Sequence, residues 1–249
     1  MLSVIIITKN EAAHIGRCLS SVSWANEIIV FDSGSTDDTV AICQSYGADV
    51  YITDWPGFGP QKQRALNKAS HEWVLSLDAD EYIDDKLRLA IEAAIRCESA
   101  DGYQIPRLSS YCGKNIRHGG WWPDHVLRLF KRSKGHFTTD VVHETIQVSG
   151  KIARLAVPIF HEAFVDPDEV LTKINHYSSL GANKLYQKGK TANLGTAIFK
   201  GLWTFFRCFF LQLAILDGAE GLMLAISNAE GTYYKYLKLR QLHKTNTTQ

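Results

Sequence analysis

The stretch Trp73-Val-Leu-Ser-Leu-Asp-Ala-Asp-Glu81 decides the fold of this chain. Its first five residues form an apolar run typical of a buried strand, and Asp78 and Asp80 follow where that strand opens into a loop. Two carboxylates on alternate residues can hold one hard divalent cation and leave its other positions to diphosphate oxygens. Because an Asp-x-Asp pair also caps helices and closes turns, the neighbouring segments decide its meaning.

Strand and helix patterns alternate in the segments before this stretch. Apolar runs predict strands, and polar loops separate them from stretches with apolar residues at helical spacing. Strands are predicted at residues 4–7, 27–31, 48–53 and 73–77, with helices at 37–46, at 61–69 and around Ile15, Leu19 and Val22. The alternation indicates a parallel sheet with right-handed crossovers, in which ligands bind at the carboxyl ends of the strands.

The pattern changes after a helix predicted at residues 87–95. Further strands are predicted at 102–108, 126–131 and 152–157, a long loop at 113–124, and helices from residue 168 onward. The sequence therefore predicts the α/β class, with a mostly parallel, Rossmann-like sheet flanked by helices and a helical C-terminal appendage. We expect the α/β domain at residues 1–165 and the helical region at 166–249.

Composition bounds the class of protein. The 249 residues are 45% hydrophobic and 21% charged, which suffices for a full core and argues against disorder. The five cysteines are odd in number and lack Cys-x-x-Cys spacing, so we expect a reducing cytosol, with neither a disulfide framework nor a structural zinc site. The first residues lack a basic segment, and their apolar run is too short for a secretory signal.

The formal net charge of +1 is unevenly distributed. Residues 184–249 carry nine Lys or Arg against three Asp or Glu, so the rest of the chain is slightly acidic. This basic region is rich in aromatic residues, which makes an anionic membrane surface a candidate partner and argues against nucleic acid.

An apolar stretch at residues 202–216 belongs to the same region. It has fifteen residues and is interrupted by Arg207 and Gln212, so we expect it to be too short and too polar to span a bilayer. Three interpretations stay open: a helix lying on a membrane surface and flanked by Lys200, Lys235 and Lys238, a buried helix, or a dimer contact.

Three segments resemble, in content and order, the family 2 inverting glycosyltransferases of the GT-A fold: Ser3-Val-Ile-Ile-Ile-Thr-Lys-Asn-Glu11, Ile29-Val-Phe-Asp-Ser-Gly-Ser-Thr-Asp-Asp38 and Leu77-Asp-Ala-Asp-Glu81. Three later segments are similar to the subgroup that adds glucose to the inner-core heptose of bacterial lipopolysaccharide: Trp121-Trp-Pro-Asp-His-Val-Leu-Arg-Leu-Phe130, Val142-His-Glu144 and Leu216-Asp-Gly-Ala-Glu-Gly221.

The resemblance implies a nucleotide-sugar-binding catalytic domain at residues 1–165 and membrane or partner attachment through 166–249. It implies a hexosyltransferase that requires Mg²⁺ or Mn²⁺ and takes a UDP-sugar, with UDP-glucose the expected donor. The acceptor would be a lipid-linked oligosaccharide, the lipopolysaccharide core, at the cytoplasmic face of the inner membrane. There are two alternatives. The enzyme could transfer the sugar to another polysaccharide or lipid-linked acceptor, or the chain could be a nucleotide-sugar-binding protein without turnover.

The nucleotide-sugar site implied by the resemblance consists of residues near strand ends and on the helix at 61–69: Thr8, Glu11, Asp32, Arg64 and Asp78. Asp32 is expected at the uracil, although it could instead only cap the turn at 33–36. Arg64 is expected at a phosphate, while a solvated helix face is the alternative for both Lys62 and Arg64.

Asp80 is the first choice for direct metal ligation, with Asp78 beside it and Glu81 in support. His161, after the apolar segment at 157–160, is a candidate third ligand, although an isolated His there is more often structural.

An inverting transferase needs a base that deprotonates the acceptor hydroxyl. Glu144 is the leading candidate, because related enzymes place an acidic pair here; His143 replaces the first acid of that pair. Asp124 is the rival, and either carboxylate could instead accept backbone N–H groups. Trp121 and Trp122 are expected either to form an apolar surface for a sugar ring or to be buried by packing. Arg128 is expected either to orient the carboxylates or to bind a phosphate on the acceptor.

Overall fold

The computed structural model of the chain describes residues 1–138 and 145–246. In this part of the chain the strands are β1 Leu2–Thr8, β2 Glu27–Asp32, β3 Asp49–Ile52, β4 Trp73–Asp78, β5 Glu81–Tyr82, β6 Gly102–Tyr111, β7 Lys114–Asn115, β8 Asp124–Lys131, β9 Gly135–Phe137, β10 Ile146–Val148, β11 Ile152–Arg154 and β12 Ile159–Phe164. The α-helices are α1 Ile15–Ser21, α2 Thr39–Ser45, α3 Phe58–Lys68, α4 Asp85–Cys97, α5 Pro167–Gln187, α6 Leu194–Phe206 and α7 Gly218–Asn246. A π-helical turn, Arg207–Leu211, and a 3₁₀ turn, Ala214–Asp217, separate α6 from α7.

The main sheet is mixed, with the strand order β3-β2-β1-β4-β8-β6-β12-β5. Strands β1 to β4 pair in parallel, as predicted. Strand β8 joins β4 and β6 antiparallel, and β12 pairs antiparallel with β5. The predicted α/β class with a helical C-terminal part is confirmed, and the mostly parallel arrangement holds for its N-terminal half.

Strand β1 lies at the centre of the core, and all seven of its residues are buried. Val4 and Ile6 share one apolar cluster with side chains of α1 and α4, whereas Ile5 and Ile7 share another with side chains of α3. A strand covered by helices on both faces carries a continuous apolar run instead of alternating residues, which is why this strand could be predicted from the sequence.

The register of the parallel strands sets the position of the candidate site. Thr8 pairs with Asp32, and Ile7 pairs with Asp78, so three of the predicted site residues lie at the carboxyl ends of adjacent strands. This edge of the sheet is where ligands bind in open α/β folds.

The chain forms two compact units, residues 1–107 with 124–162 and residues 108–123 with 163–249. The second unit thus contains most of the predicted loop 113–124 as well as the helical region. The catalytic and attachment roles expected for 1–165 and 166–249 stay predictions.

In the second unit, α7 packs against α5 and α6. Asp217 holds the loop before Pro123, because its carboxylate accepts hydrogen bonds from the backbone N–H groups of Arg117 and His118 and contacts the His118 ring at 3.0 Å. A Cβ atom at Gly221 would lie 1.8 Å from the carbonyl oxygen of Ala214. Asp217 and Gly221 of the segment Leu216–Gly221 therefore have packing roles inside this unit.

The predicted apolar stretch at 202–216 does not form one helix. The helical segment begins earlier, and residues Leu194–Leu211 are long and apolar enough to cross a membrane by length and composition. The length argument made for residues 202–216 does not apply to this earlier-starting segment, and whether it spans a membrane stays untested. Its exposed apolar side chains, with those of the turn that follows, are Leu194, Ile198, Phe199, Leu202, Trp203, Phe206, Phe210, Leu211, Leu213, Ile215 and Leu216.

Candidate active site

Asp32 closes the turn that follows β2. Its Oδ1 accepts hydrogen bonds from the backbone N–H groups of Gly34 and Ser35 at 2.9 and 2.8 Å, and its Oδ2 accepts one from the Ser35 hydroxyl. The capping role considered from the sequence is therefore present, and a role toward uracil stays a prediction. Beside it, the buried Thr8 hydroxyl has no hydrogen-bond partner within residues 1–138 and 145–246, and its predicted contact with the nucleotide is untested.

The loop after β1 is fixed to the loop after β2. The backbone N–H of Glu11 donates to the Thr39 hydroxyl at 2.8 Å, and the Glu11 carboxylate contacts the His14 ring at 3.0 Å. Glu11 is thus held near the sheet edge, and its predicted contact with the nucleotide is untested.

Two of the cations on helix α3 have different surroundings. The Lys62 side chain is only 4% exposed, and its Nζ lies 2.7 Å from Oδ1 of Asp78. The alternative of a solvated face is therefore wrong for Lys62. Arg64 is more exposed and pairs with the carboxylate of Asp54 at 2.7 Å.

A chain of alternating charges extends from α3 to β8. Asp78 Oδ2 accepts a hydrogen bond from Arg128, whose Nη2 also lies 2.6 Å from Glu81 Oε1. Burial opposes ionisation of Asp78, yet the Arg128 and Lys62 cations outweigh it and hold the pKa of that carboxyl well below its usual range. The same carboxylates raise the pKa of the buried Arg128, so both partners are fully charged at neutral pH.

Arg107 continues this chain and was not predicted from the sequence. Its Nη1 lies 3.6 Å from the fully buried Glu81, and its Nε and Nη2 donate to Oδ2 of Asp124 at 3.0 and 2.7 Å. The β6–β8 register opposes Arg107 to Asp124. No local pattern signals such a pair, because the two residues are seventeen positions apart.

Asp80 and His161 come together through the pairing of β5 with β12. His161 lies opposite Glu81 in that register, and its Nε2 is 3.3 Å from Oδ2 of Asp80. A carboxylate oxygen and an imidazole nitrogen suit Mn²⁺, whereas Mg²⁺ prefers oxygen alone. No cluster of three side chains able to ligate a metal exists among the residues that the structure describes. These two residues therefore fit a cation whose other ligands are substrate oxygens and water.

Asp78, proposed as a further metal ligand, has both carboxylate oxygens in ion pairs with Lys62 and Arg128. Of the two base candidates, Asp124 is 43% exposed beside Arg107, while Glu144 lies outside the described residues together with His143. Trp121 packs between Tyr111 and Phe164 in the second unit, which supports the packing alternative for its ring.

The sequence profile of glycosyl transferase family 2 matches residues 3–152. An uncharacterised glycosyltransferase of Rickettsia felis is 31% identical, over 96% of this chain and 89% of that protein. The lipopolysaccharide core biosynthesis glycosyltransferase LpsC of Rhizobium meliloti is 32% identical, over 97% of this chain and 93% of that protein. The chain therefore belongs to glycosyltransferase family 2.

Residues 1–349 of S. aureus TarS, solved in complex with UDP, have the same fold at 15% sequence identity. The TM-score is 0.50, and the match covers 98% of this chain and 91% of that one. The predicted GT-A fold is confirmed.

Removing the central cation of the charge chain should destabilise the protein. Arg128→Gln leaves Asp78 without one partner and the buried Glu81 without its nearest one, so we expect a loss of about 3–5 kcal/mol in the free energy of unfolding at pH 7. Because the folded-state pKa of Asp78 is depressed, the stabilisation is complete above its unfolded-state pKa of about 3.9 and is lost as pH falls below it.

Urea unfolding of the Arg128 variant and the parent between pH 7 and pH 3 measures the difference between their free energies of unfolding. This difference should become smaller as the pH falls. Arg64→Gln is the control, since its exposed pair with Asp54 should contribute less than about 1 kcal/mol. Equal stability of the Arg128 variant and the parent at pH 7 would show that the buried chain of charges contributes nothing.

Proposed function

We propose that this family 2 enzyme is an inverting, metal-dependent transferase that moves glucose from UDP-glucose to the inner-core heptose of lipopolysaccharide. The observation that carries the proposal is the similarity to LpsC along nearly the whole of both chains. The early motifs alone support a nucleotide-sugar transferase, whereas the similarity to LpsC includes the later segments that bear on the acceptor.

Two cations and one hydroxyl support the proposed binding of the UDP-sugar donor. Lys62 and Arg128 place two cations around Asp78, near the strand ends where a diphosphate would lie. The buried Thr8 hydroxyl offers a hydrogen bond to the nucleoside. Asp80 and His161 would hold the divalent cation, which neutralises the charge of the departing diphosphate when bound.

The acceptor end needs a base. In the proposed step, a carboxylate takes the proton from the heptose hydroxyl as that oxygen bonds to the anomeric carbon. The bond from the anomeric carbon to the UDP oxygen breaks on the opposite face, so UDP leaves and the configuration inverts. Glu144 is our first choice for the base, and Asp124 is the alternative.

The direct test uses the purified protein, UDP-glucose, Mn²⁺ and deacylated core oligosaccharide that ends in heptose. We expect a β-linked glucose on heptose, identified by mass spectrometry and by the anomeric coupling in the NMR spectrum. Transfer only to an unrelated polysaccharide or lipid-linked acceptor would overturn the acceptor assignment, and UDP-glucose binding without turnover in every acceptor would favour a binding protein.

Replacing the proposed metal ligand tests the cation site. Asp80→Asn should lower turnover by at least about a hundredfold, on the order of 3 kcal/mol of lost transition-state stabilisation. The variant should also bind Mn²⁺ more weakly by electron paramagnetic resonance titration, and His161→Ala should act in the same direction. Asp85→Asn, at an exposed carboxylate in the first turn of α4, is the control. Unchanged Mn²⁺ affinity in the Asp80 variant would remove that residue from the site.

The base assignment is tested by two matched variants. Glu144→Gln should abolish transfer and leave the affinity for UDP-glucose within a few fold, because a base acts on the acceptor and not on the nucleotide. Asp124→Asn should retain measurable transfer. Calorimetric titration with UDP and a steady-state assay separate the two effects. An inactive Asp124 variant beside an active Glu144 variant would reverse the roles.

Peripheral attachment to the cytoplasmic face of the inner membrane is a further part of the proposal. It is supported by the exposed apolar side chains of α6 and of the turns after it. Two of the three lysines expected to flank this surface have contacts inside the helical unit, whereas Lys200 is exposed. Lys238 donates to Asn175, Ser178 and Ser179 at 2.8–2.9 Å, and the stem of Lys235 packs over Gly181.

The apolar surface predicts a specific effect on vesicle binding. Phe199→Ser with Leu202→Ser should reduce partition onto phosphatidylglycerol-containing vesicles at least about tenfold, because each apolar side chain contributes on the order of 1 kcal/mol when it enters the interface. Flotation measures the partition. Leu171→Ser with Leu180→Ser, at exposed positions of α5, is the control.

A parent protein that does not float would favour a dimer contact for α6. Resistance of the parent to carbonate extraction would instead favour a membrane-spanning helix at Leu194–Leu211.

A further inference from the structure

The second unit contains a polar cavity that the proposed chemistry does not use. It has a volume of about 290 Å³ and is lined by the backbone of Gly119 and Gly120 and by side chains that include Arg207, Gln212, Asn228 and Thr232. This volume is close to the lower end of ligand pockets, which measure about 300–1,000 Å³, so it suits one small polar group or ring.

The walls of this cavity are held in a fixed arrangement. The backbone N–H of Gly119 donates to the carbonyl oxygen of Gln212 at 2.8 Å. Gly120 has a φ of +83°, and a Cβ atom there would lie 2.7 Å from Nε2 of Gln212. The left-handed backbone at this position favours glycine, and the absence of a side chain leaves room for the Gln212 amide in its present conformation.

Arg207 begins the π-helical turn that ends at Leu211. Single π-helical turns next to α-helices are frequent at functional sites, because they displace side chains from the regular helical positions. Leu213, just after this turn, has a left-handed φ of +60°, a conformation that a leucine rarely adopts. The backbone therefore departs from regular α-helical geometry at Arg207, the cation that lines the cavity.

Arg207 has no carboxylate partner in the part of the chain that the structure describes. No carboxylate lines the cavity, and the Arg207 guanidinium forms no ion pair within residues 1–138 and 145–246. A guanidinium binds phosphate or carboxylate through paired N–H donors, while the Asn228 amide and the Thr232 hydroxyl suit sugar hydroxyls. The lining therefore matches an anion that is attached to a polyol.

A second cavity, of about 270 Å³, shares Trp121, Asn228 and Thr232 with the first. Rings of Tyr111, Trp121 and Phe164 pack together on its wall with centroids 5.6–6.1 Å apart. Lys235 lines it as well, and burial together with the neighbouring Lys200 lowers the pKa of Lys235. Aromatic rings beside amide and cationic groups are the surroundings that a sugar ring with a negative charge requires.

We propose that these two cavities bind an acidic saccharide, with its anionic group at Arg207 and its ring at the aromatic wall beside Trp121. The inference rests on the proposed function, because the saccharide would be part of the acceptor. Phosphate and carboxylate share the required chemistry, and the experiment separates them.

The test titrates the full-length protein, kept saturated with UDP and Mn²⁺ so that the nucleotide site is filled, with glucose 6-phosphate, glucuronate and glucose. Ligand-observed NMR gives the affinities. We expect at least one anionic sugar to bind ten times more tightly than glucose, and Arg207→Gln to remove that preference. Arg207→Lys should restore part of it. Arg240→Gln is the control, since this basic residue of α7 lines neither cavity.

Equal binding of the three sugars, or an Arg207→Gln variant that keeps the preference while its melting temperature is unchanged, would overturn the inference. The anionic sugar with the larger Arg207 dependence identifies phosphate or carboxylate as the bound group. These readouts do not depend on heptose, so failure of transfer to the lipopolysaccharide core would reject the acceptor assignment and leave the binding result standing.

Discussion

The ion pairs of Asp78 with Lys62 and Arg128 are the interaction on which the candidate site depends. They join the end of β4 to α3 and β8, three elements from separate parts of the sequence. Removing a charge from water costs several kcal/mol, and the buried Glu81 faces two cations, Arg128 at 2.6 Å and Arg107 at 3.6 Å, that offset this cost. The two carboxylates of Asp-Ala-Asp consequently differ. Asp78 is engaged by cations of the protein, whereas Asp80 is partly exposed next to His161 and is available to a ligand.

The N-terminal half of the fold was predictable because its physical signal is local. Buried parallel strands require continuous apolar runs, and polar residues follow them at the strand ends, as Asp32 and Asp78 do. In the antiparallel half, the longer strands β6 and β8 were also predicted, but the short strands lacked such a signal. Strand β5 has two residues and β9 and β10 have three each, which is too few for a periodic pattern. Strand pairing there decides that His161 meets Asp80 and that Arg107 meets Asp124, and pairing register is a property of the folded sheet.

The surroundings of two lysines also could not be predicted from the sequence. A lysine on a helix is usually solvated, and composition gave no reason to treat Lys62 or Lys238 differently. In the structure Lys62 is buried against a carboxylate that follows it by sixteen residues, and Lys238 donates to α5 some sixty residues earlier. The function of each depends on a partner that is distant along the chain, so only the three-dimensional arrangement assigns it.

Part of the positive charge of the C-terminal region is used inside the helical unit, and attraction of the remaining cations to anionic lipid stays a prediction. Long-range attraction to anionic lipid requires solvent-exposed lysines. Lys238 instead donates hydrogen bonds to Asn175 and Ser179 inside the helical unit. The exposed side chains along α6 are mainly apolar, and the proposed binding to a membrane interface through their burial would be screened little by salt. Arg207 and Lys235 line the two cavities of the helical unit, whereas Lys188, Lys190 and Lys200 are exposed to solvent. Under the proposals above, the two cavity-lining cations serve recognition of a ligand and the apolar surface serves attachment.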